Sequence, residues 1–583
     1  MASLLSQIRI KLAHNEALPA LAVLGVVAGL VTSGIILLFR FAIEHSLSLF
    51  LPMSHHEDFE ALSPLFRIIM PLTGALVLAA ILYKVSPKSR QVGISHVLER
   101  IKHHQGHMPL SNFLVQFFGG IVCAISGQST GREGPAVHLG AAAGSIMGRK
   151  FQLTSSHIQL LLASGVAAAI SASFNTPIAG VIFAMEVIVM GFNFISLIPV
   201  ILASVTGALL TRVVYGAEPA FVVPALQMNS LWEAPFLIIE GLIMGGLAAL
   251  FIWVTVNTAL KAPQSLLARL LLIGLLNGLL ALAMPQIMGI GYDTVNSALL
   301  GALPWLTLLF LALAKLLITS LNLGLGQPGG AIGPMLFIGA CAGGVIGMAG
   351  SEIAPQIAGS TGYYAMLGMA AMMSACLQAP LTALMTLLEL TNNPNIILPA
   401  MLVVVIANLT ASEVFGQKGL FPRLLQLRGL TVDTSPVEQM LRQNSVLSVA
   451  DKDIKVVDKQ ATVDALKQAL ISSPNYLLIQ DGGQVIASIN AADVAAIMLD
   501  DATLEHWLEK GEDEDRINLM ALPAHRQECA SIFMQANLQE ALDTMANKQV
   551  DCLTIHFGQQ DSAVSVMGVV HHDRIHNFYR YTN

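Results

Sequence analysis

One short stretch of this chain places a carboxylate between two glycines, directly ahead of a proline. It reads Gly-Arg-Glu-Gly-Pro and covers residues 131–135. Pro135 suits the first turn of a helix, where its missing N–H is no loss, and Gly131 and Gly134 let the backbone approach a ligand closely. We therefore predict a helix that begins near Pro135 and whose N-terminal end attracts anions. Glu133 carries a negative charge on a flexible side chain. It can therefore fill this site as a gate and leave when another anion binds.

The composition of the chain places this carboxylate in a membrane. Of the 583 residues, 54% are hydrophobic and 11% are charged, whereas soluble domains carry about 25% charged residues. In a soluble protein Glu133 would simply cap a helix, but an ionisable residue inside a membrane points to function. The formal net charge of −7 gives no indication of a nucleic-acid partner. The five cysteines form no Cys-x-x-Cys pair, so we predict neither a disulfide framework nor a metal site.

Long apolar runs dominate the chain as far as about residue 410. The first run is too long for a signal peptide and many more follow it, so we interpret it as a membrane helix. Some runs are shorter than the roughly 20 residues that a full span needs, and Gly or Pro breaks others, as in helices that line a binding site. Basic residues between 84 and 90 place that loop in the cytoplasm. The runs cover residues 18–39, 64–83, 113–130, 158–190, 195–214, 236–258, 266–290, 304–320, 331–349, 363–389 and 396–410.

Two parts of the apolar region share the same order of landmarks. Residues 175–179 and 378–382 each hold a proline, and a glutamate follows nine residues after it, at Glu186 and Glu389. The glycine-rich breaks upstream, which also end in proline, are Gly131–Pro135 and Gly329–Pro334. Paired halves with broken helices are the arrangement by which transporters build a site near the middle of the membrane. We predict an all-α polytopic membrane domain made of two inverted repeats.

Taken together, these motifs resemble the CLC family of chloride channels and proton/chloride antiporters. The stretch 131–135 is similar to the family's gating-glutamate motif, 329–334 resembles its G-x-F-x-P motif, and 91–95 aligns with its G-S-G-I-P motif. Further similar segments are 175–186 and 379–389. The resemblance covers about residues 15–430. It implies a CLC-like fold with broken helices, surrounded by membrane lipid, and a homodimer with one anion pathway in each subunit.

The resemblance assigns an anion site and also shows where this chain departs from the family pattern. Val92 stands where a serine is expected, Ile332 where a phenylalanine is expected and Phe421 where a tyrosine is expected. These changes imply a site built mainly from backbone N–H groups, with chloride as the default ion and Glu133 as its gate. The implied anion-binding residues are Val92, Gly93, Ile94, Gly131, Arg132, Gly134, Ala331, Ile332, Gly333 and Phe421.

Many antiporters of this family carry a second, inner glutamate that handles protons. Alignment on residues 175–177 puts that position at Val187, which cannot titrate, next to Glu186. This absence favours a passive chloride channel, gated by voltage or pH through Glu133. The alternative is a proton-coupled chloride antiporter, in which protons travel between Glu133 and the cytoplasm through water or through Glu186. For Glu186, a structural carboxylate near a helix end is the competing interpretation.

After residue 430 the charge density rises and the long apolar runs stop. We predict a membrane transport domain over 1–430, a linker over 431–450 and a small α/β region over 451–583. That region contains two similar units of helix, strand, strand and closing helix, with Thr462 and Asn537 as predicted N-caps. It resembles a tandem pair of CBS domains, which implies a regulatory module on the cytoplasmic side of a plasma (inner) membrane.

The CBS resemblance makes an adenine nucleotide the only candidate cofactor. In such pairs an aspartate at the last strand–helix turn holds the ribose, and Asp493 and Asp573 fall at that turn. The threonine that usually precedes it by three residues is replaced by Asn490 and Val570. The alternative is a module for packing and dimerisation whose aspartates cap helices.

Two other classes of function are weaker candidates. CBS pairs also regulate cation transporters, but a cation pathway needs oxygen ligands, usually carboxylates, and the breaks in this chain hold mainly glycine and proline. An intramembrane enzyme would need a nucleophile and a base. Ser126 and Ser129 lie near His138, but the sequence positions no third member of a catalytic set. We therefore predict a transport protein and not an enzyme.

Overall fold

The protein folds into two compact units. The computed structural model describes residues 18–49, 51, 58–191, 194–216, 221, 228, 230–356, 359–430, 436–509, 516–556 and 566–581. One unit holds the described residues of 18–151 and 158–430, and the other holds 152–157 and the described residues from 436 onward.

The first unit consists of helices that a membrane would surround. Nine helices within the described residues are long and apolar enough to cross a membrane, and outward-facing side chains such as Leu38, Leu209 and Trp253 remain exposed. The chain is therefore a multi-pass membrane protein. The helices are α1 (Leu18–Ser48), α2 (Pro64–Tyr83), α3 (Gly93–His103), α4 (Leu110–Ile125), α5 (Glu133–Lys150), α6 (Ser155–Phe174), α7 (Pro177–Phe183), α8 (Phe194–Tyr215), α9 (Ala234–Lys261), α10 (Leu266–Ala283), α11 (Tyr292–Leu299), α12 (Trp305–Gly324), α13 (Ile332–Ile353), α14 (Thr361–Leu377), α15 (Pro380–Thr391), α16 (Ile397–Leu409) and α17 (Leu420–Gln426).

Two of the apolar runs are each divided into two helices. Asn175 and Gln378 adopt left-handed backbone conformations, with φ of 58° and 56°, just after α6 and α14 end. Pro177 and Pro380 then begin α7 and α15, because proline fits the first turn of a helix but not its interior. The divided runs are 158–190 and 363–389.

Corresponding helices of the two halves cap one another. The Glu389 carboxylate, near the end of α15, accepts hydrogen bonds of 2.9 and 2.7 Å from backbone N–H groups at the start of α7. Glu186 lies in the π-helical turn Ala184–Val189, which continues α7, and accepts bonds of 3.1 and 2.7 Å from backbone N–H groups at the start of α15. The end of each helix thus meets the start of the other, so they run antiparallel. This confirms the predicted inverted repeat.

The second unit is an α/β region with two sheets. Six strands follow the order β1-β3-β4-β7-β8-β9 and three follow the order β2-β6-β5. Thr462 and Asn537 accept backbone hydrogen bonds of 3.3 and 2.9 Å as N-caps of α19 and α22, as predicted. The strands are β1 (Ile454–Asp458), β2 (Gln460–Thr462), β3 (Tyr476–Asp481), β4 (Gln484–Asn490), β5 (Leu508–Glu509), β6 (Arg516–Asn518), β7 (Arg526–Phe533), β8 (Cys552–His556) and β9 (Val566–His571). The helices are α18 (Pro436–Gln443), α19 (Val463–Leu470), α20 (Ala491–Leu499), α21 (Asp501–Trp507), α22 (Leu538–Lys548) and α23 (His572–Tyr581).

Part of the predicted linker, 431–450, has regular structure. It contains α18, whose Leu441 is buried together with Val446 in a hydrophobic core that also holds Leu538 of α22 and Leu553 of β8. Burial of these apolar side chains holds the segment against the second unit. Residues 431–435 lie outside the described part of the chain.

Candidate anion-transport site

The glycine-rich breaks of the two halves contact each other directly. The N–H of Gly131 donates to the carbonyl oxygen of Gly330 at 2.8 Å, and the N–H of Gly330 donates back at 2.9 Å. Helix α5 begins at Glu133 and α13 begins at Ile332, just after this pair. The predicted helix near Pro135 is therefore confirmed, and the positive N-terminal ends of two helices lie side by side.

A cavity of about 560 Å³ reaches the starts of three long helices. The first N–H groups of a helix have no partner within that helix, so each start contributes positive potential. The cavity also contacts the ring of Phe421 at the start of the short helix α17. The residues at the three helix starts that line the cavity are Val92, Gly93, Ile94 and Ser95 for α3, Gly134 for α5 and Ala331 for α13.

The structure brings together six of the ten residues that the sequence assigns to anion binding. These six line the cavity and are Val92, Gly93, Ile94, Gly134, Ala331 and Phe421. The other four are not part of the cavity wall and lie beside it at the starts of α5 and α13. These four are Gly131, Arg132, Ile332 and Gly333.

The backbone N–H of one lining residue, Gly93, is hydrogen-bonded to a side chain of the protein. The N–H of Gly93 donates to Oε1 of Gln116 at 2.8 Å, and Nε2 of Gln116 donates to the carbonyl oxygen of Pro328 at 2.9 Å. The expectation that the Gly93 amide faces an ion is therefore corrected for this conformation. Gln116 connects the start of α3 to the break before α13. A lone glutamine in an apolar helix gives no sequence signal for that role.

Three arginines and no acidic residue line the cavity within the described part of the chain. They are Arg90, Arg269 and Arg428. Arg428 forms an ion pair of 3.0 Å with Glu99, whereas the buried Nε of Arg269 has no hydrogen-bond partner among the described residues. A cavity lined by one sign of charge concentrates ions of the opposite sign. The wall therefore favours anions and argues against the cation-transport alternative. Arg269 stands alone in an apolar helix, where no local pattern predicts a place in this cavity wall.

The carboxylate of Glu133 is enclosed beside this cavity. Its residue is 0% exposed, and Oε1 accepts a hydrogen bond of 2.7 Å from the hydroxyl of Tyr292. Nε of Arg132 lies 3.9 Å from the same oxygen, and Arg132 also pairs with Glu44 at 3.7 Å. The hydroxyl donor and the nearby guanidinium hold the carboxylate in this enclosed position. Tyr292 starts α11 in the second half, and its sequence offered no reason to place it here.

Two glycines make room for the side chain of Glu133. A Cβ atom at Gly131 would lie 2.5 Å from Oε2 of Glu133, and a Cβ atom at Gly333 would lie 3.1 Å from the same oxygen. The first distance is a clash and the second is tight. The carboxylate thus lies against the backbone of both breaks, which explains why glycine stands at these two positions.

The two residues considered for an inner proton path, Glu186 and Val187, have different surroundings. Both carboxylate oxygens of Glu186 accept hydrogen bonds from the start of α15, and Thr382 adds its hydroxyl at 2.6 Å. This geometry favours the structural interpretation of Glu186. Val187 is 5% exposed and belongs to the main hydrophobic core of the unit.

The two candidate nucleotide-binding aspartates occupy equivalent places in the second unit. Asp493 lies in the first turn of α20 and Asp573 lies in the first turn of α23, each just after the last strand of its half. Oδ2 of Asp493 accepts a hydrogen bond of 3.0 Å from the backbone N–H of His525.

A membrane domain of inverted halves, with broken helices that direct their positive ends to an arginine-lined cavity, defines an anion-transport protein. The family model described as voltage gated chloride channel matches residues 74–412 of this chain. The chain therefore belongs to the CLC family, whose members move chloride across membranes and are not enzymes. This confirms the family predicted from the sequence motifs.

Individual relatives agree with this assignment. A putative chloride channel protein ClcB-like from Ralstonia nicotianae is 30% identical over 355 residues, which cover 59% of this chain and 82% of the relative. An H(+)/Cl(−) exchange transporter ClcA from Salmonella agona is 33% identical over 329 residues, which cover 53% of this chain and 68% of the relative.

Solved structures share the fold. A slow cyanobacterial Cl−/H+ antiporter matches with a TM-score of 0.62 at 21% identity and covers 71% of this chain and 98% of its own. A eukaryotic CLC transporter matches with a TM-score of 0.56 at 17% identity and covers 98% of both chains, so the second unit is included in that likeness.

Proposed function

We propose that this protein is a proton-coupled chloride antiporter in which Glu133 is the gate. The observation that carries the proposal is the fully buried Glu133 carboxylate at the start of α5, beside an arginine-lined cavity that reaches the starts of α3 and α13. A carboxylate in that place can both block an anion and bind a proton. One group therefore links the two ions.

The gate works by competition between two anions for one region of positive potential. The charged carboxylate is held by Tyr292, by Arg132 and by the helix ends, and while it is there it excludes chloride. Protonation removes its charge and most of this attraction, so chloride can take its place. When the anion leaves, the carboxylate returns after it has lost its proton on one side or the other.

A passive channel gated by Glu133 is the second candidate, and its support is the apolar Val187 at the inner position. Two findings favour the antiporter. One similar relative is named an exchange transporter, and one similar solved structure is described as an antiporter. A valine at one position removes one carrier for protons but leaves other routes to Glu133 available.

The ion itself is proposed to be chloride, held largely by backbone N–H groups. Val92 and Phe421 supply no hydroxyl to the site, so selectivity rests on the helix starts and on the arginines of the cavity wall. The protons bind at Glu133, and the proposal needs no metal ion or cofactor.

The second unit is proposed to be a pair of CBS domains on the cytoplasmic side of a plasma (inner) membrane, in a homodimeric protein. An adenine nucleotide remains its candidate ligand, with Asp493 and Asp573 as ribose contacts. Labelled ATP and AMP binding to the purified protein, compared with the Asp493→Ala and Asp573→Ala variants, tests this assignment. If both variants retain binding, or if the wild type does not bind, these aspartates are not ribose contacts. The second unit is then interpreted as a module for packing and dimerisation.

The decisive experiment uses purified protein in liposomes. The reversal potential is measured under a chloride gradient, with and without an opposing pH gradient. For an antiporter the potential shifts with the pH gradient, because each turnover moves protons as well as chloride. A potential that follows chloride alone would establish the passive channel in its place.

A further inference from the structure

Two histidines form a buried contact between α3 and α5. Nδ1 of His96 lies 2.9 Å from Nε2 of His138, and both residues are 0% exposed. The two helices pack against each other along this region, and the rings are nearly parallel, with centroids 5.2 Å apart. Titratable side chains are rare inside membrane domains and mark proton or ion pathways when they occur there.

The hydrogen bonds around this pair define where each neutral ring carries its proton. Nε of Arg100 donates to Nε2 of His96 at 3.0 Å, so that nitrogen is an acceptor. The proton of His96 is then on Nδ1 and is donated to Nε2 of His138. His138 must in turn carry its own proton on Nδ1, a buried atom that has no hydrogen-bond partner among the described residues. A buried N–H without a protein partner is a place where water binds.

The pair lies between the gate and a more exposed part of the same unit. His138 follows Glu133 by five residues on α5, which is about 7.5 Å along a helix axis. On the other side, Arg100 is partly exposed and His104 is exposed. Helix α3, which carries His96, also contacts the π-helical turn that holds Val187. The helix that carries His96 therefore contacts the turn in which an inner carboxylate is missing.

We propose that His96 and His138 form the inner proton relay that replaces a carboxylate at Val187, an inference that rests on the proposed antiport. Arg100 moves off Nε2 of His96, and this nitrogen takes a proton from water. His96 passes its Nδ1 proton to Nε2 of His138. His138 then releases its Nδ1 proton to water, from which Glu133 takes it. One proton enters the pair and one leaves it. Each ring then carries its proton on Nε2 instead of Nδ1. Exchange with water returns these protons to Nδ1 and restores the starting state.

The charged side chains around the pair determine whether a proton can enter it. Arg100, His104 and Arg428 act on His96, and Arg100 acts on His138, all as cations or potential cations. Glu99 faces Arg428 and His104 from α3. The guanidinium of Arg100 therefore blocks proton entry while it is bonded to His96, and its movement opens the relay.

Initial proton and chloride fluxes of the full chain in liposomes test this relay. In His96→Gln and His138→Gln, an amide keeps a hydrogen-bonding group but cannot pass a proton. We expect proton flux to fall by about a hundredfold, within the range that a positioned proton-transfer group contributes, while chloride flux is kept. Arg100→Gln should raise proton flux. His45→Gln, at an exposed histidine of α1, is the matched control and should behave as the wild type.

Each of the other outcomes contradicts the relay, and one of them also contradicts the antiport. If the wild type moves no protons, the antiport and the relay both fail. If the wild type couples the ions and the two glutamine variants couple them equally well, only the relay fails. Loss of both fluxes together in the glutamine variants, with Arg100→Gln unchanged, would make the pair structural and would also reject the relay.

Discussion

The hydroxyl of Tyr292 donates a 2.7 Å hydrogen bond to the carboxylate of Glu133, although the two residues come from different halves of the repeat. The bond connects the start of α11 to the start of α5. It holds the Glu133 carboxylate in its enclosed position, so the second half of the chain contributes directly to the surroundings of the proposed gate.

Tyr292→Phe should therefore increase chloride turnover. Hydrogen bonds to charged groups contribute about 1.5–3 kcal/mol, so loss of this one should raise chloride efflux from liposomes at neutral pH by roughly tenfold or more. Tyr363→Phe is the matched control, because the buried Tyr363 hydroxyl has no hydrogen-bond partner among the described residues. An unchanged efflux in Tyr292→Phe would show that the bond does not restrain the gate.

Glu133→Gln should leave chloride transport active but independent of pH, and should abolish proton movement. The neutral amide resembles the protonated carboxyl group and has no charge to lose. Chloride efflux and proton uptake are measured between pH 4.5 and 8. Glu44→Gln removes a carboxylate that also lies close to Arg132 and should keep the pH dependence. Persistence of the wild-type pH profile in Glu133→Gln would place the gate elsewhere.

Arg269→Gln should weaken anion supply to the cavity. We expect chloride flux to fall about fivefold, equivalent to about 1 kcal/mol, a modest value because water and salt screen the charge. The difference from wild type should shrink at high ionic strength. Arg212→Gln, on α8 and outside the cavity wall, should have no such effect. A fall in flux that ignores ionic strength would indicate a structural defect and not a loss of attraction.

Glu186→Gln and Glu389→Gln should lower the stability of the protein and leave the coupling of proton to chloride flux unchanged. Each carboxylate caps the opposite helix, and the loss of a charged cap is expected to cost about 1–2 kcal/mol. Thermal inactivation in detergent and the proton-to-chloride flux ratio are the two measurements. Glu413→Gln, at an exposed glutamate, is the control. Lost coupling with unaltered stability in Glu186→Gln would instead make Glu186 a proton carrier.

The stability of the second unit should fall as pH rises across the acidic range. Burial raises the pKa of Glu540 from 4.5 to about 7, against smaller opposing effects from Ser155 and Asn537. The folded state therefore keeps this proton at pH values where the unfolded chain loses it, so the stabilisation is complete below about 4.5 and is lost by about 7.

Glu540→Gln should remove this pH dependence, with a gain on the order of 1–2 kcal/mol at pH 8 and little change at pH 4.5. Scanning calorimetry of the purified protein at the two pH values measures the difference. Glu505→Gln, at an exposed glutamate of α21, is the control and should not change the pH profile. An equal response of Glu540→Gln and wild type to pH would contradict the assignment.

The sequence by itself determined the membrane class, the repeat, the break points of the helices and Glu133 as the candidate gate. These features depend on composition and on local backbone chemistry. Proline and glycine begin and end helices wherever they occur, and an acid in an apolar stretch is conspicuous without any knowledge of its neighbours. Val187 was likewise identified by alignment on the local motif around Pro177.

Only the tertiary structure decided which side chains surround Glu133 and the cavity. Gln116 and Arg269 stand alone in apolar helices, Tyr292 begins a short helix with several polar residues, and the groups around each come from distant parts of the chain. The same holds for His96 and His138, whose contact depends on the packing of α3 on α5. Contacts of this kind follow from how helices pack and not from spacing within one helix, so no local pattern can predict them.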